Sequence, residues 1–390
     1  MDYTAQPLLF KLKKAIRYVA LYGIRRTIIK VKGQYHMKKK YDSLPKCSRA
    51  GDNTSNKHVG ILGCGNFAFS NIAYYLRSNY GSIIRGCMDV DINHAASLFE
   101  EYNLDYFTDD ASEIINDPKI TVIYIASNHA SHAEYAIQAL EAGKNVHIEK
   151  PHAVTHEQLE RLCATASRSK GRILSIGYNR PGSKIGVAIR SALEAESGES
   201  MLNWFVAGHA IEPDHWYFKK EEGGRVLGNL CHWTDFTYQM ISSENKYPIK
   251  ITPTRSKRSD CDIAVTYLFG DGSIAAITFS AKGHTFEGVK ERFAAHRGNT
   301  LLTMDDFRSL TIEKVDRKTV ISPWFRDHGH ELSITKSYER SKVNEGLPLD
   351  YIYETGELFL RTKDALEESR EIVIEKEEML RKRQKESEVA

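Results

Sequence analysis

The stretch Asn145-Val146-His147-Ile148 reads as a buried strand that ends on Glu149 and Lys150, two opposite charges, followed at once by Pro151. A residue before proline is disfavoured in the helical region, so Lys150 is held extended at the strand exit, and a cis bond into Pro151 is open to it. An amine presented in this way can take a proton from an alcohol. A second group with proton chemistry lies in EEGGRVLGNLCHWTDF, residues 221–236, where a glycine-rich turn precedes His232 and, three residues on, Asp235. Asp235 is expected to be structural, and His232 is either a proton carrier or a histidine satisfied by the backbone. Trp216 and Tyr217 stand just before the turn, where aromatic faces line a sugar pocket or pack into a core. Tyr178 and Arg180 end the run that leads into the second half of the chain, so they face a substrate or brace a junction.

These groups need a scaffold, and the chain upstream supplies one. The apolar run 58–63 is followed by Gly63-Cys64-Gly65-Asn66-Phe67-Ala68 and a helical stretch, the G-x-G-x-x-A form of the dinucleotide fingerprint. Gly63 permits the tight turn, Gly65 lets a pyrophosphate approach the helix N-terminus, and Ala68 keeps helix and strand close. A second strand ends on Asp89, where an acid accepts hydrogen bonds from a ribose 2′-hydroxyl; Val90 follows, with no arginine to receive a 2′-phosphate, which favours NAD over NADP. Strands and helices then alternate through 150, the pattern of a doubly wound parallel sheet. Ligands of such sheets bind beyond the carboxyl ends of the strands, which is where Ser127, Asn128, Glu149 and Lys150 stand, with His132 near the start of the following helix and His129 beside it. Further on, 264–281 holds two β-rich runs around Asp271-Gly272, a hairpin signal, and short strands continue through 314.

GILGCGNFA, CMDVD, EAGKNVHIEKPHAVTHEQLERL and SIGYNRP together resemble the Gfo/Idh/MocA family, the glucose-fructose oxidoreductase and inositol dehydrogenase relatives, over about residues 58–375. The resemblance implies a Rossmann domain (58–181), a C-terminal α/β domain built on a large, mostly antiparallel sheet (182–375), and homo-oligomers that assemble through the open face of that sheet. It also implies an acid four residues before the histidine; here that position is Gly228, with Asn229 beside it, able to hydrogen-bond a hydroxyl in the acid's place. The expected reaction is hydride transfer between NAD and a secondary alcohol of a sugar, nucleotide-sugar or cyclitol, the proton passing to Lys150 or His232. Positive neighbours and desolvation favour Lys150 as the base and Glu149 opposes it; the sequence leaves both open. Two other classes stay in view: an NAD-dependent glycosidase with no net redox change, and a nicotinamide-sensing regulator, which would have no use for both Lys150 and His232.

Composition bounds the rest. The chain has 390 residues, 41% apolar and 27% charged, and a net charge of +3 that conceals a basic start: 13 Lys/Arg against 2 Asp/Glu in residues 1–50, leaving 41 against 49 beyond. Leu9, Leu12, Ile16 and Val19 recur at helical spacing opposite Lys11, Lys13, Lys14 and Arg17, so a cationic amphipathic helix is expected, docked on an anionic membrane surface, on a partner subunit, or on its own protein. The pattern degrades after Gly23, where Arg26 and Lys30 enter the stripe. Peripheral membrane contact through 8–32 is one expectation. The extension and a polar linker end at 57, and 376–390 is a charged tail. Six scattered cysteines, without C-x-x-C or zinc-type spacing, point to no disulfide framework, no metal and a reducing cytoplasm. No run is long and apolar enough to span a bilayer, and no basic patch with interleaved aromatics beyond residue 50 suggests nucleic acid.

Overall fold

The computed structural model describes residues 2–47, 56–241, 245–257 and 262–377; part of the expected linker and all but the start of the charged tail lie outside them. Six parallel strands form the first sheet: β1 (Val59–Leu62), β2 (Ile84–Met88), β3 (Tyr106–Thr108), β4 (Val122–Ile125), β5 (Asn145–Ile148) and β6 (Leu174–Ile176), in the order β3-β2-β1-β4-β5-β6. Every residue of β1, β4 and β5 is buried, which is why β1 and β4 read as continuous apolar runs, while β5 buries Asn145 and His147 as well. The strand order reverses between β1 and β4, which opens a crevice at their carboxyl ends.

Nine strands form the second sheet: β7 (Ser200–Ala207), β8 (Ile249–Arg255), β9 (Asp262–Leu268), β10 (Ile274–Ser280), β11 (Lys290–Arg297), β12 (Thr300–Asp305), β13 (Ser309–Lys314), β14 (Arg317–Ile321) and β15 (Ile372–Ile374). Their order is β14-β13-β12-β11-β7-β10-β9-β8-β15, antiparallel except for the parallel pair β7 and β10. The hairpin expected around Asp271-Gly272 joins β9 to β10. Burial alternates along β7, with Leu202, Trp204 and Val206 in the core and Met201 and Phe205 outward. Cross-strand pairing extends the outward row from Leu268 through Ile274, Met201 and His296 to Leu301, a mostly apolar row on the open face of the sheet.

The basic extension folds as two helices, α1 (Leu8–Tyr22) and α2 (Ile24–His36), broken at Gly23 with φ 79°. This break accounts for the pattern that fails after Gly23: the two helices address different neighbours. The α1 amphipathicity is present but inverted. Leu8, Leu9, Leu12, Ile16 and Val19 are exposed, whereas Lys14 donates to Phe286 O at 2.7 Å, Arg17 pairs with Glu287, and Arg326 N donates to Leu21 O at 2.8 Å. The second helix lies on the first sheet's helices, with Arg26 on Asn71 Oδ1 at 2.7 Å and Lys32 on Glu101 at 2.6 Å. Among the described residues no helix is long and apolar enough to cross a membrane.

Candidate active site

The fingerprint turn sits at the point of strand reversal. Gly63 has φ 90°, and a Cβ there would lie 2.5 Å from Ser127 N and 2.6 Å from the Ala126 carbonyl carbon, so the exits of β1 and β4 meet as only glycine allows. Beside Gly65 the space is open, with nothing within 4 Å of an added Cβ. The helix that follows begins at Asn66, whose buried Oδ1 has no hydrogen-bond partner. Asp89 accepts from Cys64 N at 2.7 Å through Oδ2 and from Asp91 N at 2.9 Å through Oδ1, which fixes its carboxylate at the edge of the turn. His94 Nδ1 stands 3.7 Å from Asp89 Oδ1. An open cradle at Gly65 and a fixed acid at Asp89 fit a dinucleotide, and the turn and Asp89 would hold it. Phe67 lies against His330, ring centroids 5.7 Å apart.

The exits of β4 and β5 carry less freedom than their sequence suggests. Ser127 Oγ shares a hydrogen bond with Ser131 Oγ at 2.7 Å. Asn128 Nδ2 donates to Glu222 Oε1 at 2.6 Å, and Ala130 N donates to Glu222 Oε2 at 3.2 Å. His129 Nδ1 is 2.9 Å from the Glu222 carbonyl. Glu222 is thus a buried carboxylate from the second half of the chain that caps the helix His129–Glu141, an anion where the helix dipole favours one. Sequence reasoning missed it; the only signal was an acid pair before Gly223-Gly224. His132 is braced between Pro151 O at 2.8 Å and Ser127 O at 3.1 Å, and burial holds it below its ordinary range. A neutral imidazole has one N–H, so it donates to one carbonyl at a time while spanning both strand ends. Glu149 turns from the crevice into contact with His147 Nε2 at 3.2 Å, and His147 Nδ1 reaches Ser337 Oγ at 2.8 Å.

Lys150, joined to Pro151 by a cis bond, crosses to the second half of the chain: its Nζ donates to Gly228 O at 2.7 Å. Tyr217 Oη donates to the same carbonyl at 3.0 Å. This explains the glycine where the resembled pattern has an acid, because a Cβ on Gly228 would overlap the Tyr217 ring. The phenol fills the acid's place and leaves an O–H beside the amine. His232 follows on the helix Cys231–Met240, with a buried Nδ1 that has no partner. Burial, then the charges of Arg180 and Lys150, hold it well below its ordinary range, so it is a neutral imidazole at pH 7. Tyr178 stands 6.5 Å from it, ring centroid to centroid, and its buried Oη also lacks a partner. Asn229 Oδ1 accepts from Arg225 at 3.3 Å, and Asp235 accepts from Gln239 at 3.0 Å and from Tyr351 Oη. Arg180 is a brace: it forks onto Glu291 at 2.7 and 2.8 Å and lies over Trp233, whose Nε1 donates to the same carboxylate at 2.7 Å. Lys150 and Tyr217 thus meet on one carbonyl, and His232 and Tyr178 stand near each other with unpaired polar atoms, whereas Arg180, Asn229 and Glu149 have hydrogen-bond partners.

The chain is similar to known proteins. Residues 57–178 match the GFO_IDH_MocA model, described as an oxidoreductase family with an NAD-binding Rossmann fold. Uncharacterized oxidoreductase YrbE of Bacillus subtilis is 25% identical over 65% of this chain and 75% of its own length. D-glucoside 3-dehydrogenase of Escherichia coli is 32% identical, but over 32% of this chain and 36% of its own length. The solved structure of GenD2 from gentamicin A biosynthesis, in complex with NAD, superposes with a TM-score of 0.68 at 18% identity, covering 85% of this chain and 99% of that one, a likeness of fold. Residues 57–178 thus match the NAD-binding Rossmann part of the GFO_IDH_MocA oxidoreductase family, and the two-sheet fold is shared with the solved structure it resembles.

Proposed function

We infer that the protein is an NAD-dependent dehydrogenase acting on a secondary alcohol of a sugar, nucleotide-sugar or cyclitol. The observation that carries this is the meeting of Lys150 and Tyr217 on one carbonyl, Gly228 O, on the segment that leads into the His232 helix. Bound NAD supplies the hydride acceptor. Asp89 holds the ribose end, and its negative charge together with the absence of a basic residue at Val90 favours NAD over NADP. Tyr178 Oη and His232 Nδ1, both unpaired, orient substrate hydroxyls. The alcohol proton passes to Lys150 Nζ, released from Gly228 O as the substrate binds, with Tyr217 Oη the adjacent relay. Lys150 accepts that proton only as the free amine, and the neutral His232 hydrogen-bonds the same oxygen. The test is to incubate the full chain with NAD and a panel of sugars, nucleotide-sugars and inositols and follow absorbance of reduced cofactor; sugar release without reduced cofactor would instead mark a hydrolase.

Two outward surfaces support partners. The open row Leu268, Ile274, Met201 and Leu301 supports assembly of copies through the second sheet. The exposed α1 stripe, flanked by the exposed cations Lys13 and Arg25, supports a peripheral contact with an anionic membrane surface, checked by cosedimentation with anionic vesicles before and after Leu12→Glu/Ile16→Glu.

A further inference from the structure

The N-terminal hairpin lies against the dinucleotide fingerprint. The first helix is fastened to the second half of the chain by Lys14, Arg17 and the backbone at Leu21. The second is fastened to the fingerprint, where His36 Nε2 lies 2.7 Å from Cys64 O and a Cβ on Gly33 would overlap Asn66 Oδ1. The hairpin thus straps the two halves together over the dinucleotide turn. Between its two helices and the fingerprint is an open cavity of about 370 Å³ whose walls include Leu8, Leu12, Lys14, Tyr18, Lys30 and Asn66.

Lys30 is the unexplained residue of this cavity. Its Nζ has no carboxylate and no hydrogen-bond acceptor among the described residues; its contacts are the ring faces of Tyr22 at 5.0 Å and Tyr18 at 5.9 Å. Its surroundings are cationic: burial, then Arg26 and Arg326, press it down to about 7. Those neighbours have partners of their own, Asn71 for Arg26 and Asp306 for Arg326. An amine held among like charges without a counter-ion is costly unless a bound anion completes it.

We propose that Lys30, carried by the N-terminal hairpin, is a specificity-determining residue that receives a phosphate or carboxylate group on the substrate. The proposal rests on the dehydrogenase reading and deepens it: the alcohol oxidised beside Lys150 is part of an anionic sugar or cyclitol. The ring of Tyr18 would flank the anion's carrier, and the cavity wall includes both Lys30 and Asn66 of the fingerprint.

Calorimetric titration of the NAD-loaded full chain with glucose 6-phosphate, glucuronate and glucose at equal ionic strength tests it, the first two separating phosphate from carboxylate. At least one anionic sugar should bind at least tenfold more tightly than glucose, the preference should vanish in Lys30→Met and persist in Lys30→Arg, and NAD affinity should stay within about threefold throughout. On the unaltered chain, the preferred anion should protect Lys30 from acetylation, read by mass spectrometry. Equal binding of all three sugars, an undiminished preference in Lys30→Met, or unprotected Lys30 would each overturn the proposal. Failure of NAD itself to bind would overturn the underlying dehydrogenase reading instead.

Discussion

Replacing Glu291 with glutamine removes the counter-charge of Arg180 while keeping the side chain's shape. Glu291 has no exposed surface and Arg180 is 7% exposed, so water does not replace what is lost. The carboxylate accepts three bonds, two from Arg180 and one from Trp233, spread over both oxygens. An amide offers one oxygen, so at least one donor must face an NH2 group, and the guanidinium is left buried and unbalanced. Breaking a buried pair in this way costs about 3–5 kcal/mol. The four tryptophans, Trp204, Trp216, Trp233 and Trp324, all lie beyond residue 200, so urea unfolding followed by tryptophan fluorescence reports on the second sheet and its helices. The expected result is a loss of about 3–5 kcal/mol in that transition. Arg180→Met should then cost less in the Glu291→Gln background than in the unaltered chain, with a coupling above about 1.5 kcal/mol. A Glu291→Gln protein within about 1 kcal/mol of the original, or strictly additive costs, would refute the brace. Arg180 would in that case be free to face substrate, and Arg180→Met would raise KM without lowering stability.

Lys150→Met should lower turnover by about 10²- to 10⁴-fold, the range for a lost proton acceptor, with NAD affinity nearly unchanged because the amine's bond is to Gly228 and not to the fingerprint; steady-state rates and nucleotide titration check both halves. Gly228→Ala forces the Tyr217 ring to move and should cost about 1–3 kcal/mol by overpacking, part of it recovered in Gly228→Ala/Tyr217→Ala, as thermal denaturation would show. His156 bridges Glu357 at 2.8 Å and Asp364 at 2.9 Å; burial alone would push it down, but bonds from Asp364 and Glu357 outweigh this and raise it to about 9. A raised histidine stabilises fully below its ordinary value of 6.5 and loses that contribution as pH climbs through 9. The gap in melting temperature between the original and His156→Gln should therefore be open at pH 6 and closed near pH 10, and a gap that widens with pH would contradict the assignment.

What sequence could reveal followed the range of the interactions involved. The fingerprint, Asp89 and the strand ends at Ser127 and Lys150 are set by local order, and the chain places them at neighbouring strand exits. The three-residue β3 is too short to carry a periodic signal, and the parallel pairing of β7 with β10 joins segments about seventy residues apart. Arg180 and Glu291 are 111 residues apart, and nothing near either names the other. The amphipathic stripe of α1 was plain, but periodicity says that two faces differ and not which one is covered. Here the cations are used against Phe286 and Glu287, so the apolar face is left outside. Gly228 was visible as a departure; that Tyr217 fills the gap required coordinates.

The bond between His36 and the backbone of Cys64 fastens the hairpin to the fingerprint turn. By thermodynamic reciprocity, whatever the seated hairpin adds to or subtracts from nucleotide affinity, the nucleotide returns to the seating of the hairpin. A truncated chain begun at residue 57 would retain every residue the family model matches, yet an affinity measured on it would belong to a different equilibrium from that of the intact protein.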